Sequence, residues 1–126
     1  MQAILKKINK IPGVRGTMIL GEDGFIVASD LSGNDDPNAL GAVASTVAST
    51  VNGALERMRH GRLARFVMNG SRGGLVLQPV QSLVLLTLVS KDANMGMVLV
   101  ELKNAAGELV ETLAREQPPA GSAMQS

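Results

Sequence analysis

The chain has 126 residues, enough for one domain around one core and too few for two. Apolar residues make up 45% of it and charged residues only 18%, which excludes a disordered chain; 12 Lys plus Arg against 11 Asp plus Glu leave a net charge of +1, too weak a field to gather nucleic acid or an anionic membrane. Two Phe with no Trp or Tyr give bases almost nothing to stack on, and the absence of Cys excludes disulfides, thiolate metal sites and cysteine nucleophiles.

Ile4, Leu5, Ile8 and Ile11 recur at helical spacing among lysines, so residues 2–11 are expected to form a short amphipathic helix stopped by Pro12-Gly13. Those lysines also interrupt any signal-peptide h-region, and the longest apolar run, Leu83 to Val89, is too short to span a bilayer. A cytoplasmic protein that inserts in no membrane is expected. Val14 to Leu20 and Phe25 to Leu31 are strand-like runs on either side of Gly21-Glu22-Asp23-Gly24, a hairpin turn.

Asn34-Asp35-Asp36-Pro37 is a helix start, with acidic side chains to cap free N–H groups and a proline for the first turn. The second helix should run from Pro37 to Arg59. Its apolar stripe, Leu40, Val43, Ala44, Val47, Val51, Ala54, Leu55 and Met58, is expected to face a sheet. The other side carries Gly41, Ala42, Ser45, Thr46, Ala48, Ser49, Thr50 and Gly53 where a solvated helix would carry Glu and Lys. Side chains that small let another backbone come close, which makes this face a candidate for self-association. Gly61 is the expected C-cap.

Three further strands follow, Leu63 to Met68, Leu75 to Val80 and Leu83 to Ser90, joined by a flexible loop over residues 69–74 and by Gln81-Ser82. Met95 onward keeps helical period, so a last helix is expected from Asn94 to Ala114, and a disordered tail over 115–126. Helices one and three would cover one sheet face and helix two the other.

Candidate chemistry is sparse. His60 is the only histidine and sits beside arginines at a helix end, where capping or a surface role accounts for it. Asp35 and Asp36 are accounted for by capping. Asn69 to Gly74 lacks the Gly-Lys-Ser/Thr ending of a phosphate loop and leads into a strand. No catalytic residue, metal site or cofactor is expected. Arg57, Arg59, Arg62, Arg65 and Arg72 form a basic stretch suited to contacting an acidic partner, with a phosphoryl-transfer role as the sharper alternative.

The order α-β-β-α-β-β-β-α resembles the Roadblock (dynein light chain) family, a relative of profilin-like and longin-like folds. The residues that carry the likeness are Ile11-Pro12-Gly13-Val14-Arg15-Gly16, then Gly21 to Ser29, the small-faced second helix, Arg72-Gly73-Gly74-Leu75-Val76-Leu77, Leu83 to Val89, and Asn94-Met95-Gly96-Met97-Val98. It covers residues 2–114. The resemblance implies an α/β sandwich with a five-stranded, mainly antiparallel sheet and helices on both faces. It further implies a homodimer in which the third strands pair edge to edge, here through Arg65, Phe66, Val67 and Met68. The second helices would lie side by side through Gly41, Ala42, Ser45, Thr46, Ala48, Ser49 and Gly53, with Arg57, Arg59, Arg62 and Arg72 as a partner-contact rim. Bacterial members of the MglB type look like regulators of small Ras-like GTPases that supply no arginine finger, and eukaryotic ones like dynein light chains and scaffold subunits. The expected protein is thus a non-catalytic homodimer binding a Ras-like GTPase, or alternatively a passive adaptor with no effect on nucleotide state.

Overall fold

The computed structural model describes residues 1–116. Its elements are α1 (Gln2–Asn9), β1 (Val14–Gly21), β2 (Ile26–Leu31), α2 (Pro37–Arg57), β3 (Phe66–Gly70), β4 (Gly73–Val80), β5 (Leu83–Val89) and α3 (Met95–Glu116). The strands form one antiparallel sheet in the order β2-β1-β5-β4-β3, so β2 and β3 are its two open edges.

The strands alternate with period two and so feed two cores. Ile19, Val76, Leu85 and Val89 point to one face, where Leu5 and Ile8 of α1 and Val98, Leu102 and Leu109 of α3 cover them. Met18, Leu20, Leu75, Leu77 and Leu86 point to the other, under Ala44 of α2 with Leu40 and Val47 alongside. The expected sandwich is therefore observed. On the first face Thr17 Oγ1 donates to Asn9 Oδ1 at 3.1 Å, and Lys7 Nζ meets Glu108 Oε1 at 2.6 Å, tying α1 to the sheet and to α3. The Glu108 carboxylate, by hydrogen bond and then by charge, raises the Lys7 ammonium above the ordinary lysine value.

Several boundaries move for physical reasons. Asp36 alone caps α2, its Oδ1 accepting from the Asn38 N–H at 3.0 Å; Asp35 does not, and its Oδ2 is buried without a partner. At the other end the Arg59 N–H bonds the Glu56 carbonyl and the His60 N–H the Leu55 carbonyl, the paired bonds of a Schellman closure. The left-handed position that closure needs falls on Arg59, at φ 60°, and not on Gly61 as expected. The third strand starts at Phe66, so Arg65 precedes it. The anticipated flexible loop over 69–74 is a two-residue turn, Ser71-Arg72, because strand pairing continues through Gly70↔Gly73. A Cβ on Gly74 would stand 2.6 Å from the Met68 carbonyl oxygen, so that glycine serves close strand approach rather than flexibility. α3 runs through Glu116, two residues into the expected tail; the rest of that tail, residues 117–126, lies outside the described residues. No helix of the described residues is long and apolar enough to cross a membrane.

Candidate partner interface

The two sheet edges differ in kind. β2 carries a bulge: Ile19 pairs with Ala28 and Leu20 with Ile26, which leaves Val27 unpaired. Its far end is guarded by α1, where Asn9 Nδ2 donates to the Asp30 carbonyl at 3.0 Å and Lys6 lies 3.9 Å from the Asp30 carboxylate. Bulges and charges of this kind keep an edge from pairing with other chains. β3 has neither. Its five residues, Phe66-Val67-Met68-Asn69-Gly70, are uncharged and pair with β4 in unbroken register. Val67 and Met68 on it are 37% and 40% exposed; exposed apolar side chains also occur at the β2 edge, where Val27 is 46% exposed, so the two edges differ in regularity and charge rather than in apolar exposure.

The apolar surface continues from that edge onto α2. Met68 shares a groove of 390 Å³ with Leu40 and Val43 of α2 and with Arg72 at the β3–β4 turn. Val43 and Ala54 were expected to face the sheet, yet Val43 is 45% exposed and Ala54 is exposed too, because both lie on the flank of the stripe that Leu40, Ala44, Val47, Val51 and Leu55 centre. Met58, also expected on the sheet, caps the helix and is 54% exposed. Val43 is the candidate contact residue that sequence reading missed, and its flank position on the helical wheel is the signal that could have found it.

The small residues of α2 do not share one environment. Gly41 is buried inside the chain, where a Cβ would come within 2.8 Å of the Gly24 carbonyl oxygen, and Ser45 packs on the same turn. Ser45, Ala48, Ser49 and Gly53 line a cleft of 1050 Å³ bounded by Glu22 of the β1–β2 turn and by Pro79, Gln81, Leu83 and Val84 around the β4–β5 turn. Ala42, Thr46 and Ser49 are exposed. The small face thus accommodates the chain's own turn at one point and leaves open space along the rest.

The arginines do not form one cluster. Arg59 and Arg62 line the large cleft, Arg72 lies in the groove beside Met68 together with Arg15 and Asp35, and Arg57 and Arg65 are exposed and line neither. His60 is exposed at the helix end. What the geometry offers is an uncharged strand edge, continuous with an apolar helix flank, with arginines at its margins.

The comparisons with known proteins agree with this architecture. The family model described as Roadblock/LC7 domain matches residues 1–90. The uncharacterized protein MJ0310 of Methanocaldococcus jannaschii is 27% identical over 106 residues, covering 84% of this chain and 93% of that protein. Among solved structures, MglB of Myxococcus xanthus superposes with a TM-score of 0.84 at 17% identity, covering 90% of this chain and 94% of that one. A Roadblock/LC7 domain from Streptomyces avermitilis does so with 0.82 at 16% identity, covering 90% and 98%. With a family model matching residues 1–90 and this fold reproduced over 90% of the chain, the protein belongs to the Roadblock/LC7 family.

Proposed function

We propose that two copies of the chain pair through β3 into a homodimer, and that the continuous surface so formed binds a small Ras-like GTPase and regulates its nucleotide state without contributing catalytic residues. The observation that carries the dimer is the contrast between the edges: β2 is bulged and guarded, whereas β3 is regular and uncharged and adjoins an exposed Val43. Pairing there would bring the α2 flanks of both copies together above a ten-stranded sheet. The GTPase reading rests on family membership and on the MglB likeness. In this arrangement Arg72 beside Met68 meets the partner at the margin, where arginine contributes orientation and association rate more than affinity.

Two measurements test it. Light scattering with refractive-index detection, needed because the chain has no Trp or Tyr, should show dimers for the native chain and monomers for Val67→Lys, which places a charge on the open edge; a monomeric native protein refutes the dimer. Adding the dimer to a GTPase encoded beside it should change the rate of GTP hydrolysis, and pull-downs should favour one nucleotide state. Equal binding of the GTP and GDP forms with unchanged hydrolysis would leave the passive adaptor.

A further inference from the structure

Among the described residues, two that are not glycine hold a left-handed backbone, Arg59 at φ 60° and Gln81 at φ 57°. Both line the large cleft, one from the end of α2 and one from the β4–β5 turn. Arg59 closes the helix and Gln81 opens the two-residue turn between Val80 and Leu83, positions that favour glycine or asparagine. A long polar side chain at such a place is held against the preference of its backbone, and residues so held gather where a ligand is gripped.

The cleft runs along the second half of α2. From Ser45 to Glu56 the helix rises about 17 Å, the span of about five residues of extended chain. The ionisable residues lining the cleft are Glu22, Glu56, Arg59 and Arg62, and none of the four belongs to an ion pair of the described residues. Glu22 marks one end, on the β1–β2 turn whose Gly24 lies against Ser45. The two arginines stand at the other end with Glu56, so that end keeps one net positive charge. Between the ends are groups that a peptide backbone can use. Asn52 Oδ1 accepts from the Leu63 N–H at 2.7 Å, which commits the oxygen and leaves the Nδ2 hydrogens without an acceptor among the described residues. The Ser45 and Ser49 hydroxyls and the Gln81 carboxamide make no hydrogen bond among those residues either. Gly53 has nothing within 4 Å of where a Cβ would lie, so a second backbone has room beside the helix.

We infer that this cleft binds an extended peptide segment of another protein, about five residues long, with an acidic side chain on Arg59 and Arg62 and a basic one at Glu22. Opposite charges at the two ends with donors between them fit a peptide, whereas Glu22 and Glu56 would oppose a small anion. No β3 residue lines the cleft, so the site is complete within one chain and occurs twice in a β3-paired dimer.

Selection from a displayed library of random peptides on the full-length protein tests this. The native chain should enrich sequences that carry one acidic and one basic residue about five positions apart, in a constant order. Arg59→Glu with Arg62→Glu should exchange the acidic preference for a basic one and weaken a selected synthetic peptide about tenfold, and Glu22→Lys should exchange the basic preference for an acidic one. Arg59→Gly and Gln81→Gly should also weaken that peptide while unfolding at no lower temperature than the native chain, which separates loss of the site from loss of the fold. Enriched sequences without the charge pair, identical sequences from the native and charge-reversed chains, or no enrichment at all would overturn the inference. Val67→Lys should select the same sequences as the native chain, so a failure of the β3 pairing shows in the particle mass and not in this selection.

Discussion

Gly41 and Gly53 stand on the same helix and invite the same substitution with opposite expected outcomes. Replacing either by alanine removes the same interior-glycine penalty, about 1 kcal/mol in favour of the folded state. At Gly53 a new methyl meets nothing within 4 Å, so Gly53→Ala should keep that whole gain and raise the melting temperature by roughly 3 to 6 °C for a domain of this size. At Gly41 the methyl would stand 2.8 Å from the Gly24 carbonyl oxygen, a backbone atom of a turn that is itself held by the Gly24 N–H to Gly21 carbonyl bond of 3.0 Å. Forcing a methyl into such a site costs about 1 to 3 kcal/mol, so Gly41→Ala should end neutral to about 2 kcal/mol less stable than the native chain. The difference between the two variants isolates the contact from the helix propensity. The assay is thermal unfolding followed at 222 nm at one fixed protein concentration, since association makes the midpoint concentration-dependent. Equal shifts for both would refute the reasoning. A destabilised Gly53→Ala whose midpoint approaches the native one on dilution would instead place a partner backbone against Gly53.

Arg59→Gly removes a side chain from a left-handed position, relieving about 1 to 2 kcal/mol of strain against about 0.5 to 1 kcal/mol of added unfolded-state freedom, so in urea unfolding it should end between neutral and about 1.5 kcal/mol more stable. A loss of stability would mean that the guanidinium in the cleft outweighs the backbone. Asp36→Ala should cost about 1 kcal/mol through loss of the cap, whereas Asp35→Ala should not lower stability, its buried Oδ2 having no bond to lose; equal losses would refute the assignment of the cap. Glu108→Gln should lower the Lys7 titration midpoint toward the ordinary lysine value, read by nuclear magnetic resonance of the side chain. Because the folded-state value is raised, the contribution of the pair is whole at neutral pH and is lost only as pH rises through that midpoint, so stability between pH 6 and pH 9, roughly the range below all lysine titration, should show no slope from this pair.

Much of the fold is legible in the sequence because the two cores are written with clear periods. Met18-Ile19-Leu20 and Leu75-Val76-Leu77 are apolar without interruption because α2 covers one side of those strands and α1 with α3 the other. The turn over Gly21 to Gly24 and the proline start of α2 are local signals, decided by residues a few positions apart. What sequence could not place depended on distant partners. Gly70, Gly73 and Gly74 read as a flexible loop from composition, yet strand pairing reaches through the first two, and the third is set by the Met68 carbonyl across the ladder. Arg59 taking the closure that Gly61 was expected to make is a matter of where the helix runs out of carbonyl partners, which shifts by a residue or two without changing the pattern.

The helical half of the candidate site was legible only as a composition, and the structure gives that composition different meanings along one helix. A run of small residues on α2 suggests a single cause, the close approach of another chain. Gly41 is instead required by the chain's own turn, and Ser45, Ala48 and Gly53 border a cleft beside Glu22 and Arg59. The residues best placed to continue an edge-paired dimer are large and apolar, Val43 with Val67 and Met68, on the flank of α2 that adjoins β3. Small size permits approach, but burying exposed valine and methionine supplies the free energy for it, at about 25 cal/mol for each square ångström of apolar surface removed from water.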